Sequence, residues 1–122
     1  MINCNFASTA HKIFAFKLEM LVDGNDAGAC DPAVAADHGA CDLGKWLVAH
    51  AGELGHLPHF AELDRSHRHF HETVGEMLRR FHDGDVAGAR AIEQGEFRSA
   101  SDEVLLALEI MGAEVGRDAN LG

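Results

Sequence analysis

The chain has 122 residues, of which 47% are hydrophobic, 25% are charged and only two are proline, a balance that excludes a disordered chain and fits one folded domain over residues 1–122. Ten basic against twenty acidic side chains leave a net charge of −10, which sets the protein against nucleic acid and anionic membrane surfaces as partners. No apolar stretch approaches the roughly 18–20 residues needed to cross a bilayer, and no basic segment leads an apolar one at the start, so the expected compartment is the cytoplasm.

The first helix is predicted from about Asn5 to Val22. Ala7, Phe14, Leu18 and Leu21 fall on one stripe, Ile13, Phe16 and Met20 fall on a second, and Asp23-Gly24 offers the stop. The two stripes together are wider than a helix with one buried side needs. A second partner, another subunit, is therefore expected to meet this helix.

Gly24 to Ala40 is the least regular segment. Within it Asp31-Pro32 reads as an N-cap followed by a first-turn proline, opening a short helix through about Ala36. Another helix is predicted from near Cys41 to Gly52, with Leu43, Trp46 and Leu47 on one face. Gly52, Gly55 and Pro58 mark the break that follows.

From Pro58 to His82 the residues Phe60, Leu63, His67, Phe70, Val74, Met77 and Phe81 alternate steps of three and four, the seam of a helical bundle. Asp83-Gly84-Asp85 closes that helix and caps the next, which Val86, Ala89 and Ile92 carry on. Gly95 is expected to weaken it before Phe97, Ser101, Val104, Leu108, Met111 and Val115 resume the seam. No segment alternates with period two. The predicted fold is all-α, an antiparallel four-helix bundle with a short extra helix in the first long connection, and homodimeric.

Two features of the seam do not suit an oily core. His67 occupies a core position and His71 follows one turn later, so both rings can converge on one point. A buried imidazole without a partner costs about 1–3 kcal/mol, and a shared metal would satisfy both, as would a hydrogen-bonded pair. His11 points inward on the stripe of the first helix. Cys41 stands at a helix start, where the dipole favours a thiolate. Three imidazoles and one thiolate suit tetrahedral Zn²⁺ better than iron or copper. Metal capture of this kind is expected to weaken below about pH 6–6.5, the range of free histidine.

The three cysteines, Cys4, Cys30 and Cys41, are odd in number and contain no C-x-x-C, which is not a disulfide framework. Cys4 and Cys30 carry no assigned role. His38, three residues from Cys41, is the one spare histidine that could substitute as a ligand. His69 falls on the far side of its helix, and His50, His56, His59 and His82 fall at helix ends or core edges.

With these residues in view the sequence resembles the CZB family, the chemoreceptor zinc-binding domains of bacteria. The family's ligand order is His, Cys, then a His-x-x-x-His pair, here His11, Cys41, His67 and His71, separated by 30 and 26 residues up to the pair. The cysteine stands in C-D-L-G-K-W-L, close to the family's Cys-x-Leu/Phe-Gly-Lys-Trp-Leu. The segments F-A-E-L-D-R-S-H-R-H-F-H and G-D-V-A-G-A-R extend the likeness over nearly the whole chain. Phe14 departs from the tryptophan usual three residues after the first histidine, an exchange that keeps an aromatic and touches no ligand. The resemblance implies a homodimeric four-helix bundle with one zinc per chain. It further implies regulation of a chemoreceptor signalling region or a diguanylate cyclase, in cis or in trans, through zinc occupancy or oxidation of the cysteine.

Three other readings compete. A zinc hydrolase needs an open coordination position and the glutamate of H-E-x-x-H, and His67-Arg68-His69-Phe70-His71 lacks it. A di-iron oxidase needs Glu-x-x-His motifs from two helices, and Glu53-Leu54-Gly55-His56 is the only one. No catalytic residues are therefore assigned. A metal-independent helical dimerisation module is the alternative that remains.

Overall fold

Asp31, Cys41 and Asp85 each start a helix by the same device. The side chain of Asp31 accepts from the Ala33 amide at 2.9 Å, that of Cys41 from Gly44 at 3.3 Å, and that of Asp85 from Gly88 at 2.9 Å, which satisfies backbone donors that a first turn otherwise leaves unpaired. The computed structural model describes residues 4–24 and 26–118, so the single-domain reading over 1–122 includes positions outside the described residues. Among the described residues the regular elements are all helical. They are α1 (Cys4–Asp23), α2 (Pro32–Ala35), α3 (Asp42–Leu54), α4 (Phe60–His82), α5 (Val86–Ile92) and α6 (Arg98–Arg117).

Helix boundaries follow local chemistry. Proline at the first position of α2 has no amide to leave unpaired. Helix α4 begins at Phe60 rather than Pro58, with His59 as its N-cap residue. After α4, Gly84 takes a φ of 86°, a left-handed conformation open to glycine at little cost, and turns the chain into α5. Gly95 does not break the helix that follows. It lies in a π turn, Glu93–Phe97, which carries α5 into α6 without a gap. A short 3-10 turn at Ala27–Ala29 precedes α2, within a segment that has no hydrophobic periodicity.

The core lies mainly between α4 and α6. Leu63, Phe70, Val74 and Met77 from α4 meet Phe97, Val104, Leu108 and Met111, and all eight are essentially inaccessible to solvent. The Phe70 and Phe97 rings lie 5.3 Å apart. Full burial of each large apolar side chain contributes about 1.5–3 kcal/mol, so this interface dominates the hydrophobic stabilisation. Polar contacts join the two helices at the start of α4 and near its middle. His59 ahead of α4 bonds Glu114 late in α6, while His69 bonds Glu96 just before α6.

Helix α1 packs on α6 and α3, and α2 packs on α4. The two stripes of α1 separate as the sequence suggested. Ala7 and Leu18 are buried and Phe14 and Leu21 half-buried, whereas Phe6, Ile13, Phe16 and Met20 are each at least half exposed. No helix of the described residues is long and apolar enough to cross a membrane.

Candidate metal centre

Gly44 shapes the cysteine end of the site. A Cβ at this position would stand 1.9 Å from the His38 carbonyl oxygen, so only glycine lets the His38 backbone close over the first turn of α3. That closure surrounds the Cys41 sulfur. Sγ accepts from the Gly44 amide and lies 3.5 Å from the His38 carbonyl, toward which a thiol can donate. The C-D-L-G order thus folds into a small sulfur-binding cup at a helix start.

Helix α4 brings the two histidines to this cup. His67 and His71 are both 1% exposed, one turn apart, with ring centroids 4.7 Å apart. His67 Nε2 stands 3.1 Å from Cys41 Sγ, while its Nδ1 is buried with no hydrogen-bond partner. The ring therefore has binding capacity that the surrounding protein does not use. His71 is held differently. Its Nδ1–H donates to the Ala35 carbonyl at 2.8 Å, which leaves Nε2 as a lone pair. Gly75, one turn further along α4, allows this bond, because a Cβ there would meet Ala36 Cβ at 2.9 Å and push α2 away.

One ligand atom from each of Cys41, His67 and His71 lies within 4.8 Å of the other two. His11 lines the same cavity, of about 230 Å³, and is 3% exposed, but it lies outside that cluster. Its Nε2 is bonded to Ser101 Oγ on α6 at 2.8 Å. Three of the four sequence-predicted ligands are thus brought together, and the fourth stands at the wall of their cavity.

Electrostatics keep these rings neutral. Burial lowers His67 to about 3, and the neighbouring His71, His11 and His38 add to the fall. Burial lowers His11 to about 4, with His71 contributing, and it lowers His71 against the opposing bond to Ala35. Proton competition at the imidazoles of the folded chain accordingly moves below the range expected from free histidine. Burial also pushes the Cys41 thiol up, opposed by the Gly44 and Leu43 amides and reinforced by Asp42. Neutral imidazoles and a sulfur already cupped by amides are the donors that a borderline-soft cation takes. The cluster contains no carboxylate, which disfavours calcium and magnesium. The residues present fit Zn²⁺.

The other histidines lie elsewhere. His38 stacks edge-on to His67 at 6.1 Å without joining the cluster. His69 pairs with Glu96, His59 with Glu114, His56 with Asp118 and His50 with Glu53, and His82 donates to the Cys30 carbonyl. Cys30 and Cys41 both line a second cavity, of about 360 Å³, beside His71. Two contributors escaped the sequence reading. The Ala35 carbonyl left no signal, because a backbone oxygen is common to every residue. Ser101 did leave one, a hydroxyl on an otherwise apolar seam.

A protein-family model described as Chemoreceptor zinc-binding domain matches residues 11–78, which contain all four predicted ligands. No curated protein and no solved structure matches the chain.

Proposed function

The chain belongs to the chemoreceptor zinc-binding domain family, and from that premise we propose that it is a non-catalytic regulatory module of bacterial signalling that binds one Zn²⁺ per chain. The observation that carries the reading is the convergence of half-buried Cys41 with buried His67 and His71, one nitrogen of His67 being left unpartnered. Cys41, His67 and His71 would hold the metal and His11 would supply the fourth donor, giving a closed tetrahedral set with no position for a reacting water. Bound there, Zn²⁺ supplies a cross-link between elements distant in sequence and no chemistry of its own.

The chain's residues account for the rest. The Gly44 amide orients Sγ, and the Ala35 carbonyl orients His71 and fixes its tautomer. The set connects the start of α3, the middle of α4 and, through His11, α1. Filling or emptying it therefore biases how those helices pack, which is how a local event becomes a signal. Oxidation of Cys41 by a peroxide or hypochlorite to the sulfenic acid would remove the thiolate donor and act in the same direction.

The proposed architecture is an antiparallel four-helix bundle, supported by the opposite order of two contacts, since His59 ahead of α4 pairs with Glu114 late in α6 and His69 further along α4 pairs with Glu96 ahead of α6. The exposed apolar stripe of α1 supports a homodimer. In this reading the module works in the cytoplasm and acts on a signalling output domain, a chemoreceptor region or a diguanylate cyclase, in cis or in trans. Neither nucleic acid nor a membrane is a partner.

Metal content of protein purified without added metal, measured by inductively coupled plasma mass spectrometry, tests the proposal. Wild type should carry about one zinc per chain and His71→Ala should carry almost none. Wild type that holds no metal and takes up none on addition would overturn the zinc reading and leave the metal-independent dimerisation module.

A further inference from the structure

His11 is the one predicted ligand bonded to a side chain outside the predicted set. Its Nε2 lies 2.8 Å from Ser101 Oγ, and the residues are 3% and 9% exposed, so water does not compete for the bond. The contact spans 90 residues of sequence, and it joins α1 to α6 beyond the segment that the family match covers. Neither nitrogen of His11 lies close enough to join the Cys41, His67 and His71 donors within 4.8 Å.

We propose that Ser101 is a positioning residue of this site, a latch that holds His11 outside the metal cluster in the metal-free protein and competes with the metal for it. The inference rests on the zinc reading above. Nε2 is engaged by the hydroxyl in either tautomer, as donor or as acceptor, so His11 cannot offer that nitrogen to a cation while the bond persists. Bringing Nε2 into the cluster means breaking the contact that ties α1 to α6. Release costs Ser101 little, because a helical serine hydroxyl can turn back to the carbonyl one turn earlier, here that of Phe97. Filling the site thereby exchanges an α1–α6 link for an α1–α3–α4 link. This gives the metal a mechanical route to α6, a helix that supplies no ligand.

Zinc affinity, measured by competition with a chromophoric chelator on the full chain, should rise about three- to tenfold in Ser101→Ala, the weight of one ordinary hydrogen bond removed from the competing state. Ser101→Thr, which keeps the hydroxyl, should bind like wild type. In a His11→Ala background the serine substitution should lose its effect, which a purely structural role for Ser101 would not predict. Wild-type or weaker affinity in Ser101→Ala overturns the latch, as does an equal effect with and without His11. Should Ser101→Ala not fold, the wild-type His11 ring nitrogens decide by ¹⁵N NMR. Zinc must change the Nε2 resonance from its metal-free hydrogen-bonded position, and an Nε2 signal that stays put during titration overturns the proposal. Failure of wild type to take up zinc at all would instead defeat the underlying reading, so the two failures are distinguishable.

Discussion

His67 Nε2 lies 3.1 Å from Cys41 Sγ, a contact between the middle of α4 and the residue that caps α3, 26 positions apart in the chain. Sγ also accepts from the Gly44 amide. The sulfur caps α3 and, in the zinc reading, would also bind the metal, two duties that are separable. Serine is a better N-cap than cysteine but a far poorer soft-metal donor. Cys41→Ser should therefore keep its helical circular dichroism and melt within a few degrees of the metal-free wild type. Its zinc affinity should fall by more than about 100-fold, beyond the roughly 10–100-fold typical of losing an outer-shell partner. Undiminished zinc binding in chelator competition would remove Cys41 from the ligand set.

The second prediction concerns a residue that touches no donor. Gly75 lets α2 approach α4 closely enough for the Ala35 carbonyl to hold His71 Nδ1–H. An alanine methyl would meet Ala36 Cβ at 2.9 Å and lift α2 away. Overpacking of this kind costs about 1–3 kcal/mol. The loosened His71 should also lower zinc affinity by about tenfold, at the lower end for an outer-shell partner. Urea unfolding with chelator competition measures both effects, and a variant that loses stability but keeps full affinity would show that the Ala35 bond does not matter to the site.

Much of this arrangement was legible in the sequence, because it rests on short-range rules. Asp31-Pro32 marks a helix start by capping, and the three-four alternation from Phe60 to Phe81 marks the seam, with His67 inside it. The one-turn spacing of His67 and His71 places both rings on one face. What escaped was tertiary. Whether His11 reaches the cluster depends on where α1 sits against α6, and its bond to Ser101 spans 90 residues. Gly95 read as a weak point, because propensity alone does not reveal that a π turn can absorb it. The lowering of His11 and His67 was hidden for a like reason, since burial, not residue type, sets it.

Glu93 gives a pH dependence away from the metal centre. It lies in the π turn, is 1% exposed, and leaves Oε2 buried without a hydrogen-bond partner. Burial, aided by Asp23 and Glu19 and opposed by Arg98, raises its carboxyl from 4.5 to about 7. The folded state therefore holds a proton that the unfolded chain releases near 4.5. The stability from this group is fully present below that value and is lost as pH rises through about 7. The buried histidines act with the opposite sign, since the unfolded chain binds their protons first and stability is lost as pH falls below about 6.5. Glu93→Gln isolates the carboxylate. Relative to wild type, the variant should gain on the order of 1–3 kcal/mol between pH 5 and pH 8 in urea unfolding of the metal-free protein. A wild-type-to-variant difference that stays flat across that range would show that Glu93 is ionised throughout.

The last prediction concerns the outer stripe of α1. Phe6, Ile13, Phe16 and Met20 are 53, 50, 61 and 58% exposed, and they repeat at intervals of seven, three and four residues along one helix face. Single exposed apolar residues need no explanation, but four in register on one face mark a contact surface. A two-fold pairing of α1 with α1 would present this stripe to the same stripe of the copy, the self-complementary geometry of a homodimer. Replacing Phe16 and Met20 together with glutamate puts like charges across that axis in a protein that already carries −10. Both side chains are more than half exposed within the chain, so the fold should survive with unchanged helicity. Sedimentation equilibrium should then give the 13.1 kDa of one chain for the double variant and twice that for wild type. A wild-type protein that sediments as a single chain would show that this face serves something other than a second copy.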